Sequence, residues 1–301
     1  MFSRNLISIG KTLFFVAISV VVFSCKQKTA DEHDSTTDST VNKEMSADAE
    51  KVFYSMPSPI ETAVLLKKAG ASYDSDFLNP VENREKYSTI SSKAFNMGIY
   101  GSDLSYTTIF DKTQEAMLYL ACSKKLADGL GISGVFSDDV ISRMEENMGN
   151  KDSLLAIISD SYWEADAYLK ENDRASVSAM LIAGGWIEGL YIATRVEESL
   201  RKSKKNELIM ERIAEQKLSL ENLINLLDSY KNDEILNNLS LQLKDLKLEF
   251  DKVGSTSGET SVAEAKNGVA TIGGDNSFSL STETLTAITK KITAIRKSMV
   301  E

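Results

Sequence analysis

The sequence predicts an all-α protein, and three observations carry that reading. All three prolines, Pro57, Pro59 and Pro80, precede residue 81, so none interrupts the 221 residues that follow. Apolar residues recur at spacings of three and four over long stretches, which places them on one face of a helix. Cap residues and glycines punctuate those stretches where helices start and stop. The expected body is a multi-helix bundle or helical-repeat-like array of about eight to ten helices, with at most one small β-hairpin near 269–280.

The elements follow in chain order. In "SPIETAVLLKKAG", Ser58 is placed to cap a helix with Glu61 three residues later, Pro59 takes the first helical position, and Gly70 follows the end. "NPVEN", with Asn79 and Pro80, reads as a second start. From Ser92 to Phe110 the chain is apolar and aromatic, and Asp111 with Gln114 can restart a helix running to Gly129. "FSDDVI" sets Phe136 and Ile141 as a hydrophobic staple around the cap Ser137. Further helices are expected at 152–171, 174–199, 205–217, 219–231 and 233–253. The last of these carries Leu236, Leu239, Leu243, Leu246, Phe250 and Val253, and the C-terminal segment repeats the pattern with Leu285, Ile288, Ile292, Ile295 and Met299. Each run is shorter than three heptads, which favours packing within the chain over an oligomeric coiled coil. Between them, residues 255–281 are rich in glycine and serine and form either a loop or a small hairpin turning at Gly273 and Gly274, with little order in the first half.

The N-terminus reads differently. Arg4 and Lys11 precede an apolar run from Leu13 to Phe23, followed by Ser24 and Cys25. That run is too short for a permanent span, which needs roughly 20 residues, and has the form of a secretory signal peptide. "VFSC" resembles the lipobox of bacterial lipoproteins, a resemblance that implies cleavage before Cys25 and its acylation, hence an anchor in the membrane. Lys26, rather than an aspartate, follows the cysteine and points to the outer membrane. Residues 26–50 are polar, nearly free of large apolar side chains, and read as a disordered tether with a reach on the order of 25–30 Å. The expected organisation is therefore a leader at 1–24, a lipidated tether at 25–50, a helical domain at 51–254, a loop or hairpin at 255–281, and a C-terminal helix at 282–301 that docks on the body.

Composition excludes several classes. Loss of the leader removes Arg4 and Lys11 from 34 basic residues, leaving 32 against 44 acidic ones, a formal charge near −12 that disfavours nucleic acid as a partner. The single histidine, His33, lies in the tether, so the body supplies no Ser-His-Asp triad, no His-ligated metal and no Glu-x-x-His pair. No catalytic residue, metal or cofactor is expected. "GLGISG" at 129–134 matches a dinucleotide-loop spacing, but it follows a helix where that loop needs a strand, and reads as a helix connection. Cys122 shares a face with Leu118 and Leu126 and reads as a small buried residue without an activating base.

Two acids stand apart. In "AMLIAGGWIEGLYIAT", residues 179–194, Glu188 is the only charge between Arg174 and Arg195, on a helix apolar all round and hence central. In "AFNMGIYGSDLSYTTIF", residues 94–110, Asp103 is the only charge, with Gly98 and Gly101 close by. The shared glycines, tyrosines and lone acids suggest two helices with facing small-residue surfaces. Burying an ionised carboxylate alone costs several kcal/mol, so each acid is paired, protonated or beside a cavity. One reading makes them register devices bonded to tyrosine, serine, tryptophan, arginine or lysine. The other makes them the floor of a ligand site walled by Tyr100, Tyr106, Trp186 and Tyr191.

"KAFNMGIYGSDLSY" and the surrounding body, residues 52–198, resemble uncharacterised helical lipoproteins of bacterial envelopes, which implies an envelope location and a helical class but no activity. The functions carried forward are an envelope lipoprotein whose helical body binds a partner protein or small ligand, a structural or assembly lipoprotein using its C-terminal helices, and a carboxylate-only enzyme such as a glycan hydrolase.

Overall fold

A computed structural model describes residues 65–201, 206–257, 261–262, 272–273 and 276–301. The leader, Cys25, the tether, the Ser58–Glu61 cap and most of the first half of the 255–281 segment lie outside the described residues. The described chain is all-α apart from two short antiparallel strand pairs. Residues 65–69 are helical and end at Gly70, whose φ of 71° meets the left-handed requirement of a C-cap. The helices that follow are α1 (Ile90–Ile109), α2 (Thr113–Leu130), α3 (Asp138–Glu146), α4 (Lys151–Glu171), α5 (Ala175–Leu200), α6 (Glu207–Asp228), α7 (Glu234–Phe250) and α8 (Thr282–Val300).

Local chemistry sets most boundaries. Thr89 and Ser92 form a reciprocal capping box at the start of α1. Ser137 caps α3, Asn150 caps α4, Asp233 caps α7 and Ser281 caps α8, each accepting from a backbone N–H of the first turn. Gly131, at φ 72°, ends α2, so "GLGISG" is a helix C-cap leading into a 3-10 turn at Ser133–Phe136. Three sequence expectations change. Asp111 does not cap α2; it takes a positive φ of 57° between α1 and α2, a conformation that aspartate tolerates better than most residues. "NPVEN" forms only a 3-10 turn, Val81–Glu85, because the Asn79 side chain bonds to Tyr87 and Asn96 instead of capping. The two helices expected at 205–217 and 219–231 are one, α6, whose Ser219 is buried and bonded to Gln216 one turn back, so nothing breaks the helix there.

The strand region forms two separate antiparallel pairs, β1 (Gly254–Ser257) with β4 (Asn276–Ser279) and β2 (Ser261–Val262) with β3 (Ile272–Gly273). It therefore begins well before residue 269, and Gly273 lies in a strand rather than at the turn.

The centre is the crossing of α1 and α5. A Cβ on Gly98 would lie 2.0 Å from the Leu181 carbonyl oxygen, and one on Gly184 2.0 Å from that of Phe95, so the two backbones touch where only glycine fits. Helices α2 and α4 pack on α1, α4 and α6 on α5, α7 on α6, and α8 across α5, α7 and α1. The leucine and isoleucine seams of α7 and α8 are buried within the chain, save Met299, which is partly covered. Helix α5 is long and apolar enough to cross a membrane by length and composition, but 78% of its most apolar window is buried inside the fold. Cys122 is buried as expected, whereas Leu118 on the face assigned to it is 49% exposed.

Candidate functional site: an acid pair and a groove on opposite faces of one crossing

The structure brings Asp103 and Glu188 together and closes them off; both are fully buried. Glu188 is held from α8 by Arg296, whose Nε donates to Oε2 at 2.6 Å and Nη2 to Oε1 at 2.7 Å. That bidentate geometry is the strongest form of a carboxylate bond to arginine. Arg296 also donates from Nη2 to the Phe77 carbonyl at 3.3 Å, and its guanidinium carbon lies 4.2 Å from the centre of the Tyr191 ring. Burial opposes the guanidinium charge, but the bond to Glu188 outweighs it and holds Arg296 above its ordinary value.

Asp103 takes part differently. Its Oδ2 accepts the Asn79 backbone N–H at 3.2 Å, while its Oδ1 is buried with no partner among the described residues when the group is read as an anion. Burial, then the adjacent Glu188 charge, raise the Asp103 carboxyl well above the usual range, and Arg296 only partly opposes them. The same side chain lies within hydrogen-bonding reach of Glu188. A proton on Asp103 Oδ1 would resolve the orphan by donating to Glu188. Two carboxyls then hold one negative charge, and one arginine neutralises it.

A polar network extends the pair. Asn79 donates through Nδ2 to the Tyr87 hydroxyl at 3.0 Å and to Asn96 Oδ1 at 3.2 Å. Asn96 and Tyr87 in turn donate to the carbonyls of Met299 and Val300 at 2.8 Å and 3.3 Å, satisfying two acceptors at the end of α8. Tyr100, fully buried, donates to the Pro80 carbonyl at 2.9 Å. The acid pair is thus the centre of a latch joining the 75–85 segment, α1, α5 and α8.

Among the described residues, the other face of the crossing is open. A groove of about 680 Å³ runs between α1, α4, α5 and α6, with Leu65 and Leu66 at its edge. It is lined by Gly98, Gly101, Ser102 and Ser105 on α1 and by Gly185, Gly189 and Ala193 on α5, with Gly98 already covered by the Leu181 carbonyl and Gly101 by the Tyr162 ring. Its walls are apolar, with Ile109, Ile158, Leu181, Ile182, Leu190 and Ile209 among them. Both tryptophans of the chain, Trp163 and Trp186, line it. Trp186 Nε1 donates to Ser219 at 2.9 Å, and Ser219 donates to the Gln216 carbonyl at 3.0 Å, so the ring is fixed from α6. Ser102 and Ser105 donate to the Gly185 and Gly101 carbonyls, leaving their methylene sides to the groove.

The four aromatic residues expected around one polar site are divided between two. Tyr191 lies against Arg296, and Tyr100 is bonded to Pro80 on the latch side. Tyr106 and Trp186 line the groove. Tyr106 accepts from the Asp74 backbone N–H at 3.3 Å, and burial raises its phenol to about 12. The aromatic residues were expected to wall one site around the acids, but one residue of α-helix turns about 100°. Asp103 and Ser102, and likewise Glu188 and Gly189, therefore face different neighbours. Arg296 and Asn96 were not singled out from sequence, and Asn79 was read only as a helix start. Arg296 sits beside the Ile292–Ile295 seam, and a cation at the edge of a buried stripe is the signal that calls for an acid opposite.

Comparison with family models, with curated proteins and with solved structures finds no significant match to this chain.

Proposed function

We propose that the chain is a lipid-anchored protein of the cell envelope whose helical body binds an apolar small molecule in the groove between α1, α4, α5 and α6. The groove carries this reading. Its volume of about 680 Å³ falls inside the range of roughly 300–1,000 Å³ typical of small-molecule sites. Its floor is kept low by glycine and alanine at Gly185, Gly189 and Ala193, where larger side chains would fill it. The apolar leader, the lipobox-like "VFSC" and the polar tether support membrane anchoring through Cys25, with the outer membrane favoured by Lys26.

Gly189→Leu tests the groove. A Cβ at Gly189 meets nothing within 4 Å, so the larger side chain enters the groove without a clash at its root. The variant should keep the parent's far-UV circular dichroism and lose binding of an apolar fluorescent probe. Equal probe binding by parent and variant would place the binding elsewhere and overturn the reading.

A second reading, assembly through the C-terminal helices, draws on Leu241 and Leu248 of α7, seven residues apart and 65% and 59% exposed. A carboxylate-only hydrolase requires two acids flanking an open cleft. Asp103 and Glu188 are buried against each other and against Arg296, which offers a glycan no approach.

A further inference from the structure

We propose that the ligand of the groove is a single-chain amphiphile with a carboxylate head, the head being held by Arg212. The inference rests on the binding reading above and adds the chemistry of the ligand.

The groove is long. On α5 its lining runs from Leu181 to Val196, a rise of about 22 Å, and on α1 from Gly98 to Ile109, about 16 Å. A linear chain fits an elongated apolar trough with a small-residue floor; a compact ring system would leave most of it empty. The described lining holds one cation, Arg212, and one anion, Asp160. Asp160 is exposed on α4, where water already solvates it. The Arg212 side chain is 30% exposed, and its contrast with Asp160 lies at one atom. Its Nη1 bonds Glu215 at 2.7 Å, but its Nε is buried and has no partner among the described residues. A buried guanidinium N–H without an acceptor is costly, and an oxyanion entering the groove supplies the acceptor. Arg296 shows what that edge of an arginine does in this fold: its Nε and Nη2 grip the Glu188 carboxylate side by side. Arg212 offers a ligand carboxylate its corresponding Nε edge, with the apolar trough leading away from it.

The test titrates saturated monocarboxylates of increasing chain length, the primary alcohols of the same lengths and the matching primary amines into the full-length protein. Trp163 and Trp186, the only tryptophans and both in the groove, report occupancy through intrinsic fluorescence. Kd should fall about fourfold per added methylene, the equivalent of about 0.8 kcal/mol, until the trough is full. The carboxylate should bind about tenfold or more tighter than the alcohol of equal length. Arg212→Gln should erase that difference while the alcohol affinity stays at the parent value, which also shows that the variant is folded. Acids and alcohols binding equally to the parent would overturn the head assignment and leave the apolar groove standing. Amines binding tighter than acids would overturn it in favour of Asp160. No binding by any of the three series would remove the binding reading and this inference with it.

Discussion

Replacing Asp103 and Glu188 singly and together asks where the one negative charge opposite Arg296 resides. In Asp103→Asn, the amide can donate to Glu188 as a protonated acid would, and its carbonyl can still accept the Asn79 N–H that lies 3.2 Å from Oδ2. The salt bridge from Arg296 to Glu188, 2.6 Å, is untouched, so the cost at neutral pH should be within about 1 kcal/mol. In Glu188→Gln the arginine loses its bonded anion, but Asp103 can give up its proton and replace the charge, limiting the loss to about 1–3 kcal/mol. The double variant leaves a buried guanidinium facing two amides and should cost about 3–5 kcal/mol, more than the two single changes combined. Equilibrium urea unfolding followed by far-UV circular dichroism reads all three. Because burial raises the folded-state carboxyl of Asp103, the folded protein holds a proton that the unfolded chain releases near pH 4. The pair's stabilisation is therefore complete below about pH 4 and declines as pH rises towards the folded-state value, by up to about 1.4 kcal/mol per pH unit. Asp103→Asn should flatten that decline and overtake the parent on the alkaline side. If the parent instead gains stability across that interval relative to Asp103→Asn, Asp103 is an ionised carboxylate and the shared proton does not exist.

Gly98→Ala and Gly184→Ala should each cost about 1–3 kcal/mol or more in urea unfolding, because the new Cβ would stand 2.0 Å from a backbone oxygen of the facing helix and backbone cannot step aside. Gly189→Ala, with nothing within 4 Å, should stabilise by about 0.5–1 kcal/mol; equal effects at all three sites would refute the close crossing. Cys25→Ser should abolish incorporation of labelled fatty acid and shift the protein out of the membrane fraction, and unchanged fractionation would exclude the lipid anchor.

Much of the fold was legible because it depends on local chemistry. The 3-4 seams of α7 and α8, the cap Ser137 and the C-cap at Gly131 can be read without knowing what packs where. The facing surfaces of α1 and α5 were also legible, since glycines in two otherwise apolar helices have few uses other than close approach. What escaped depends on tertiary partners. Asn79 has the sequence appearance of a helix cap, yet its amide is taken by Tyr87 and Asn96, and the helix that would have begun there is reduced to a 3-10 turn. Arg296 looks like one of several cations on an amphipathic C-terminal helix, and only the packing of α8 across α5 shows that it meets Glu188, 108 residues earlier. The groove was invisible because it is a property of four helices together. Its floor is written in glycine and serine, residues that elsewhere signal turns.

The two sites share their supports. Gly98 and Gly184 bring α1 and α5 into backbone contact, and the same contact places Asp103 against Glu188 on one side and opens the trough over Gly185 and Ser102 on the other. The latch therefore fixes the crossing from behind: Arg296 reaches across from α8 to Glu188 on α5, while Asn96 on α1 holds the Met299 carbonyl near the end of α8. A bidentate pair fixes orientation as well as distance, which explains why a charged triad occupies a position where an all-apolar core could be equally stable. Register between α1 and α5 is what the groove needs, since sliding one helix past the other by a single turn would move the Gly185–Gly189 floor by about 5 Å and put a wall residue in its place. The lone carboxylates in two apolar helices therefore lie away from the groove and hold in place the two backbones that form its floor.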